Sequence, residues 1–304
     1  MRILSKCNLC PHCCGVDRHA GELGRCGMGD QIKLARAALH MWEEPCLVGR
    51  HGSGTVFFSG CSLKCVFCQN YQISTLGYGR IISEKELAQY FLELQKQGAA
   101  NINLVTPTHF VPHIIYALEQ AKNLGLNIPI VYNSSGYENT DTIEMLRGYV
   151  DIFLPDFKYF SYELATTYSY APLYRLHALS TISKMLSLAG EATFNASGIM
   201  QKGVLVRHML LPGHLEDSKK VLNELHHNFG NDLYVSLMSQ YTPMPQNNTF
   251  RHLDHRVKKS DYEKLIAYAL DLGFTHGFVQ EGKSASHSFI PDFFDQGINL
   301  SEIK

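Results

Sequence analysis

From about Thr55 onward the chain alternates short apolar runs with amphipathic stretches, and this alternation limits the fold more than any other feature. TVFFSG reads as a buried strand. Ser83, with Glu86 three residues on, reads as a capping box that opens a helix. Leu87, Phe91 and Leu94 give that helix its apolar stripe, and Gly98 ends it. INLVT is the next strand, followed by a helix through Ile115, Leu118 and Leu124 to Gly125. IPIVY, DIFLP, GVLVRHMLLPG and LYVSLM continue the strand series. Between them lie helices from Asp141 to Arg147, through Leu176, Leu179, Ile182 and Leu186 to Gly190, and through Val221, Leu222, Leu225 and Phe229. Ser260 and Glu263 read as a second capping box, Gly273 ends that last helix, and FVQE reads as a final short strand. Six or more βα units in series imply a parallel sheet. Runs such as IPIVY are apolar on both faces, as strands covered on both sides require. Periodicity allows a doubly wound sheet or an open or partial barrel. In either, the active site sits at the carboxyl ends of the strands.

The first fifty residues differ: they are rich in Cys and Gly and show no long periodic segment. Residues 1–50 are expected to form a small Cys-rich metal-binding module, since so short a stretch buries little core of its own, and residues 51–304 the α/β core. Twenty-seven basic against 28 acidic residues leave no general phosphate-binding field, so nucleic acid is not an expected partner. No stretch approaches the roughly 18 apolar residues of a spanning helix, and MRILSKCNLC lacks the apolar core of a signal peptide. The expectation is a cytoplasmic protein without a membrane segment.

A reducing compartment leaves the nine cysteines free for metal or catalysis. Five lie between Cys7 and Cys26, three between Cys61 and Cys68, and Cys46 stands alone. GCSLKCVFCQN places Cys61, Cys65 and Cys68 in a C-x3-C-x2-C pattern directly after the first strand. Four thiolates close a four-iron cluster, so three leave one iron without a protein ligand. An open position is how a metal site binds a substrate, by analogy with catalytic zinc, and a chelating amine and carboxylate would fill it. A structural zinc wants four closed ligands, and the loop offers no fourth Cys or His. The N-terminal cysteines follow C-x2-C-x2-C-C, with Cys26 beyond; a set of four thiolates there suits structural zinc or an auxiliary iron–sulfur cluster.

The trio resembles the signature of the radical S-adenosylmethionine (SAM) superfamily. The resemblance extends through CNLCPHCCGVDR, GELGRCG, LHMWEEPC, GSGTVFFSGCSLKCVFCQN, NLVTPTH, VYNSSGY, VDIFLPDFKY, GVLVRHMLLPG, SQYTP and FIPDF. Across nearly the whole chain it is similar to the pyruvate formate-lyase activating enzyme group, and most to its PflX-type iron–sulfur homologues. The resemblance implies a partial parallel (βα)6 barrel with a [4Fe-4S] cluster on Cys61, Cys65 and Cys68. It also implies reductive cleavage of SAM to a 5′-deoxyadenosyl radical, fed by a low-potential donor of the flavodoxin or ferredoxin type. Phe67 matches the aromatic that shields the cluster and borders adenine. Cys7, Cys10, Cys14 and Cys26 match the N-terminal ligand set, with Cys13 spare and His12 in place of a usual arginine. One departure concerns the second strand, which ends Val105-Thr106-Pro107-Thr108-His109 instead of in a Gly-Gly-Glu-like segment; Thr106 and Thr108 offer acceptors for SAM in its place.

Asp156 and Lys158 follow an apolar strand and face the same way, which suits a structural ion pair or contacts to SAM. Asn133 and Ser134 end the third strand and join that polar ring. Arg207 interrupts VLVRHMLL and needs a carboxylate, from SAM or from Asp156. His208 faces the other way and reads as a core histidine; His109 reads equally as catalytic or as packing; Gln240 and Gln280 are weaker members of the ring. The resemblance implies hydrogen abstraction from a glycine of a partner protein. The alternatives are a small molecule or peptide substrate, or a non-catalytic electron-transfer or metal-binding module.

Overall fold

The computed structural model describes residues 2–244, 250–280, 291, 293 and 297–300. Its strands are β1 (Ile32–His40), β2 (Ser53–Phe58), β3 (Arg80–Ile82), β4 (Ile102–Val105), β5 (Ile130–Ser134), β6 (Ile152–Pro155), β7 (Thr193–Phe194), β8 (Met200–Met209), β9 (Tyr234–Met238) and β10 (Gly277–Val279). The helices are α1 (Arg2–Ser5), α2 (Pro45–Val48), α3 (Tyr71–Ser74), α4 (Glu84–Lys96), α5 (Val111–Asn123), α6 (Thr140–Glu144), α7 (Tyr162–Ser169), α8 (Tyr174–Ala189), α9 (Leu215–Phe229) and α10 (Lys259–Asp271). The strands β2, β4, β5, β6, β8, β9 and β10 pair in parallel, each with the next in chain order. Helices between consecutive strands cover the outer face, so the sheet curls into the expected partial barrel rather than reversing its order as a doubly wound sheet does.

Two antiparallel strands extend this barrel. β1 pairs with β2, and β3 pairs with β1. The first fifty residues therefore do contain a long regular element, contrary to the reading from periodicity. IKLARAALH is interrupted by Lys33 and Arg36, but it gains the whole edge of β2 as partner, and its Leu34 and Ala37 are buried. Near the C-terminus, the Ile298 N–H donates to the Ala37 carbonyl, bringing the chain back to the β1 edge. Gly297 there has φ +78, and a Cβ on it would sit 2.1 Å from the Ala37 oxygen. Of FIPDF, Pro291 and Phe293 are described; Phe289, Ile290 and Asp292 lie outside the described residues, as does Glu281 of FVQE.

The Ser83–Glu86 capping box forms, and Leu87, Phe91 and Leu94 are buried beneath α4. The second expected box does not. α10 begins at Lys259, which puts Ser260 inside the first turn, and Glu263 pairs with Lys259 instead. Leu124 and Leu176, read as core, are exposed. Leu124 lies beyond the last turn of α5, and Leu176 lies on the solvent side of α8, where Ile182 and Met185 face the sheet.

The short helix α2 closes the amino end of the barrel. Cys46 and Leu47 pack among Val131, Ile152, Leu154, Met200 and Leu205 from the lumen faces of β5, β6 and β8. The Asn101 amide donates to the Leu47 carbonyl at 2.7 Å and accepts from Ser53 Oγ, pinning the plug. No helix among the described residues is long and apolar enough to cross a membrane.

Candidate active site

One cavity of about 670 Å³ occupies the carboxyl ends of the strands. Cys61, Cys65 and Cys68 line it from the loop after β2. Gly60 positions this loop: its φ is +84, and a Cβ would meet Met28 Cγ at 2.5 Å and the Cys26 carbonyl at 2.9 Å. Two hydroxyls reach the sulfurs. Ser169 Oγ donates to Cys65 Sγ at 2.8 Å, and Ser74 Oγ donates to Cys68 Sγ at 3.3 Å. Phe67 is buried, with edge contacts to Tyr159, Tyr168 and Tyr241. This aromatic shell keeps water from one side of the trio.

Burial pushes all three thiols up, Cys61 and Cys65 to about 11, partly offset at Cys65 by the Lys158 charge. A metal must therefore displace protons on binding, as thiolate ligands require. Among the described residues no group of three or more His, Cys, Asp or Glu is drawn close enough to hold a single metal ion. A four-iron cluster is wider than one ion, and three sulfurs facing one cavity, two with hydroxyl donors, fit it. Hydrogen bonds to sulfur also tune such clusters.

Asn133, Ser134, Asp156, Lys158 and Arg207 line the same cavity, as expected. Asn133, Asp156, Lys158 and Arg207 form one network, while the Ser134 hydroxyl accepts from the Gly136 N–H. Asp156 accepts from Lys158 Nζ at 2.6 Å and from Arg207 Nε at 3.0 Å, and Arg207 Nη2 donates to Asn133 Oδ1 at 2.6 Å. Burial alone would raise Asp156, but the two cations outweigh it and hold the carboxyl below its ordinary value. Gly136 admits this arrangement, because a Cβ there would lie 2.2 Å from the Asp156 carbonyl oxygen. Thr106 lines the cavity with a left-handed backbone at φ +58, rare for a β-branched residue. Gln240 and Gln280 line it too, joined by a 3.1 Å hydrogen bond.

Thr108 does not belong to this ring. It begins the turn before α5, so its hydroxyl points away from the lumen and donates to Glu138 Oε1 at 2.8 Å. His109 lies behind the cluster loop, bonded through Nε2 to the Ser59 carbonyl, and burial pushes it down to about 3. It is a packing residue. His208 is likewise buried, against the Phe157 carbonyl.

Cys7, Cys10, Cys14 and Cys26 are neighbours around the buried Arg18; Cys13 and Cys14 are both exposed, and Cys13 Sγ turns to the Cys10 carbonyl and accepts from Asn139. Arg18 donates to Cys26 Sγ at 3.3 Å and to the His109 carbonyl at 2.9 Å. A Cβ on Gly24 would lie 3.3 Å from Cys14 Sγ and 3.5 Å from Cys26 Sγ, so a side chain there would crowd both sulfurs. Burial raises Cys7 and Cys10, whereas at Cys14 burial is outweighed by backbone hydrogen bonds, Cys7 and the Arg18 charge, which lower the thiol. These residues suit a metal centre, though the sulfurs are not closed to single-ion distance.

Sequence reasoning missed the floor of the main cavity. Glu43 and Glu44, flanked by Trp42 and Pro45, turn into it from the end of β1. The available signal was two adjacent acids beside the chain's single tryptophan.

A family model described as the Radical SAM superfamily matches residues 55–225. The uncharacterized protein MJ0674 of Methanocaldococcus jannaschii is 30% identical over 284 residues, covering 89% of this chain and 77% of the relative. Among solved structures, Streptococcus suis SuiB bound to precursor peptide SuiA aligns with TM-score 0.49 and 14% identity, over 73% of this chain and 46% of that one. HydG, a maturase of the [FeFe]-hydrogenase, aligns with TM-score 0.46 and 11% identity, over 78% and 57%. The chain thus spans about half the length of those two proteins. Since the family model covers more than half of this chain, the chain belongs to the radical SAM superfamily, whose enzymes use a four-iron cluster and S-adenosylmethionine.

Proposed function

We propose that Cys61, Cys65 and Cys68 hold the cluster, that the polar ring binds SAM, and that an organic molecule or a peptide segment enters the same cavity as substrate. The observation that carries this reading is the convergence of three cysteines, a charged network and one cavity of about 670 Å³ at the strand ends. When bound, the cluster and SAM supply one-electron cleavage of a sulfonium and a carbon radical that takes hydrogen from a substrate.

The chain's own residues have separate tasks. Ser169 and Ser74 orient two thiolates. Phe67 and its tyrosines exclude water. Lys158 and Arg207, held by Asp156, present cations to a carboxylate, and Asp156, Asn133 and Ser134 offer acceptors to hydroxyl groups. Thr106 offers its backbone or hydroxyl in place of a Gly-Gly-Glu segment. The reaction needs a reductant, for which a flavodoxin- or ferredoxin-type donor is the proposed source. The proposal extends to one metal, zinc or iron–sulfur, on Cys7, Cys10, Cys14 and Cys26.

The cavity lies within the roughly 300–1,000 Å³ of small-molecule sites, which supports a small molecule or a short inserted segment. Activation of a glycyl-radical partner rests on the resemblance to activating enzymes, and would require the partner's glycine loop to thread into this lumen. The test is anaerobic incubation of reconstituted, reduced protein with SAM. Formation of 5′-deoxyadenosine supports the reading; an intact cluster that never cleaves SAM would leave a non-catalytic electron-transfer or binding module. Electron paramagnetic resonance of candidate partners then separates the substrates, a glycine doublet marking the activating reaction.

A further inference from the structure

The floor of the lumen carries more negative charge than the network above it uses. Carboxylates of Glu43, Glu44 and Asp156 meet the cations of Lys158 and Arg207 here. Asp156 takes the short contacts of both cations. Arg207 reaches Glu43 only at 3.7 Å. Glu44 is 7% exposed, and its Oε2 has no hydrogen-bond partner. A buried carboxylate in this position is costly unless a proton or another cation meets it. Burial, opposed by Arg207 and reinforced by Glu43, lifts Glu44 to about 7.

A second observation points to the same place. Asn103 lies on the lumen face of β4, two residues before Val105, which lines the cavity. It is fully buried beside Glu43, yet neither its amide nitrogen nor its oxygen closes a hydrogen bond of ordinary geometry. An amide with both ends unsatisfied is rare in a finished core. Glu43 and Glu44 thus line the same cavity as the cysteines, with the unsatisfied Asn103 amide buried beside Glu43. Phe57 and the half-exposed Trp42 also line this cavity, providing an apolar surface for an aliphatic stem and an aromatic face for a cation.

We propose that Glu43 and Glu44 receive a cationic group of the substrate, a primary amine or guanidinium, seated on the α2 plug below the radical chemistry. The inference rests on the proposed reading only in taking this lumen as the substrate site. The plug fixes the receptor. Cys46 and Leu47 are locked in the barrel floor, which anchors the chain directly after the two acids, whose side chains are 9% exposed at Glu43 and buried at Glu44. A cation bound here would hold the substrate's stem along the lumen, with carbon atoms toward the cluster end.

Trp42 is the chain's single tryptophan and lines this cavity, so its fluorescence reports the site directly. The experiment titrates anaerobic, reconstituted, unreduced protein with agmatine, n-butylamine and 1-butanol, with and without saturating SAM. The expected result is binding of the two cations at least about tenfold tighter than the alcohol, retained under SAM, and weakened about tenfold or more in Glu43→Gln/Glu44→Gln. If the double variant does not fold, Glu44→Gln alone carries the test. Equal affinity for butanol and the amines, or full affinity in the folded variant, overturns the proposal. Loss of amine binding under SAM also overturns it, by making the acids part of the SAM site. No reductant is used, so this outcome is independent of whether SAM is cleaved.

Discussion

Asp156 is the hub of the cavity network, and replacing it with asparagine isolates what its charge contributes. The carboxylate accepts from Lys158 at 2.6 Å and Arg207 at 3.0 Å, with only 15% of the side chain exposed. Each charge-assisted hydrogen bond contributes about 1.5–3 kcal/mol. In Asp156→Asn the side-chain amide would keep one acceptor oxygen but turn an NH2 group toward the other cation, donor against donor. One bond is then lost and the other weakened, for a cost of about 3–4 kcal/mol, or roughly 5–6 °C in melting temperature for a chain of this size. Lys158→Met removes one cation but leaves Asp156 paired with Arg207, and should cost about 1–2 kcal/mol. Because it also removes the donor that Asp156→Asn strands, the double variant should lie about 1–3 kcal/mol above additivity. Denaturant unfolding of the four proteins measures this. The acid limb gives a further check. Asp156 is held below its unfolded value near 3.9, so its contribution is complete above that pH and is lost as pH falls through the folded pKa. Asp156→Asn should flatten that limb. A variant within about 1 kcal/mol of the parent, or strict additivity, would refute the coupled network.

Alanine at Cys61, Cys65 or Cys68 should remove the four-iron signal and 5′-deoxyadenosine formation together, while Ser169→Ala should keep the cluster and shift its potential; turnover in a Cys variant would sink the ligand assignment. Glu138 should make the fold less stable with rising pH, because burial lifts it to about 8 and the folded state then keeps a proton that the unfolded chain releases near 4.3. Glu138→Gln, measured by urea unfolding from pH 5 to 8, should flatten that slope; an unchanged slope would assign it elsewhere. Gly136→Ala should cost about 2–4 kcal/mol by driving a methyl into the Asp156 carbonyl, read from its melt; a silent substitution would mean the loop yields freely. Cys26→Ser should lower zinc or iron content at the N-terminal site without touching the cluster signal, as measured by elemental analysis; unchanged content would remove that site.

The parallel strands were legible because each is buried on both faces and needs no partner from far away to be recognised; IPIVY and IFLP are apolar throughout. The cysteine trio was legible because its spacing is local. What escaped depended on distant contacts. β1 carries two charges and reads as irregular until β2 is set beside it. Thr106 and Thr108 look equivalent two residues apart on a strand, but the chain leaves the strand at Thr106 with a positive φ, so the next hydroxyl turns to Glu138. Glu43 and Glu44 escaped because nothing local says that Cys46 and Leu47 will be drawn into the barrel floor. In sequence they follow an exposed tryptophan; in space they lie below Arg207.

The same long-range folding ties the two cysteine groups together. Cys26 and Met28 occupy the space that any side chain at Gly60 would need, directly before Cys61. His12 Nε2 contacts the Ser62 carbonyl at 2.9 Å, and His109 bridges the Arg18 guanidinium and the Ser59 carbonyl. The N-terminal cysteines thus stand against the back of the loop whose front faces the cavity. A metal on that side would order the first thirty residues, which have little core of their own beyond Leu4, Cys7 and Leu9. Ordering them fixes the backbone at Ser59, Gly60 and Ser62, and hence the direction of Cys61. The N-terminal segment therefore acts on the cavity through geometry: none of its described residues before His40 lines the cavity, but it packs against the loop that does.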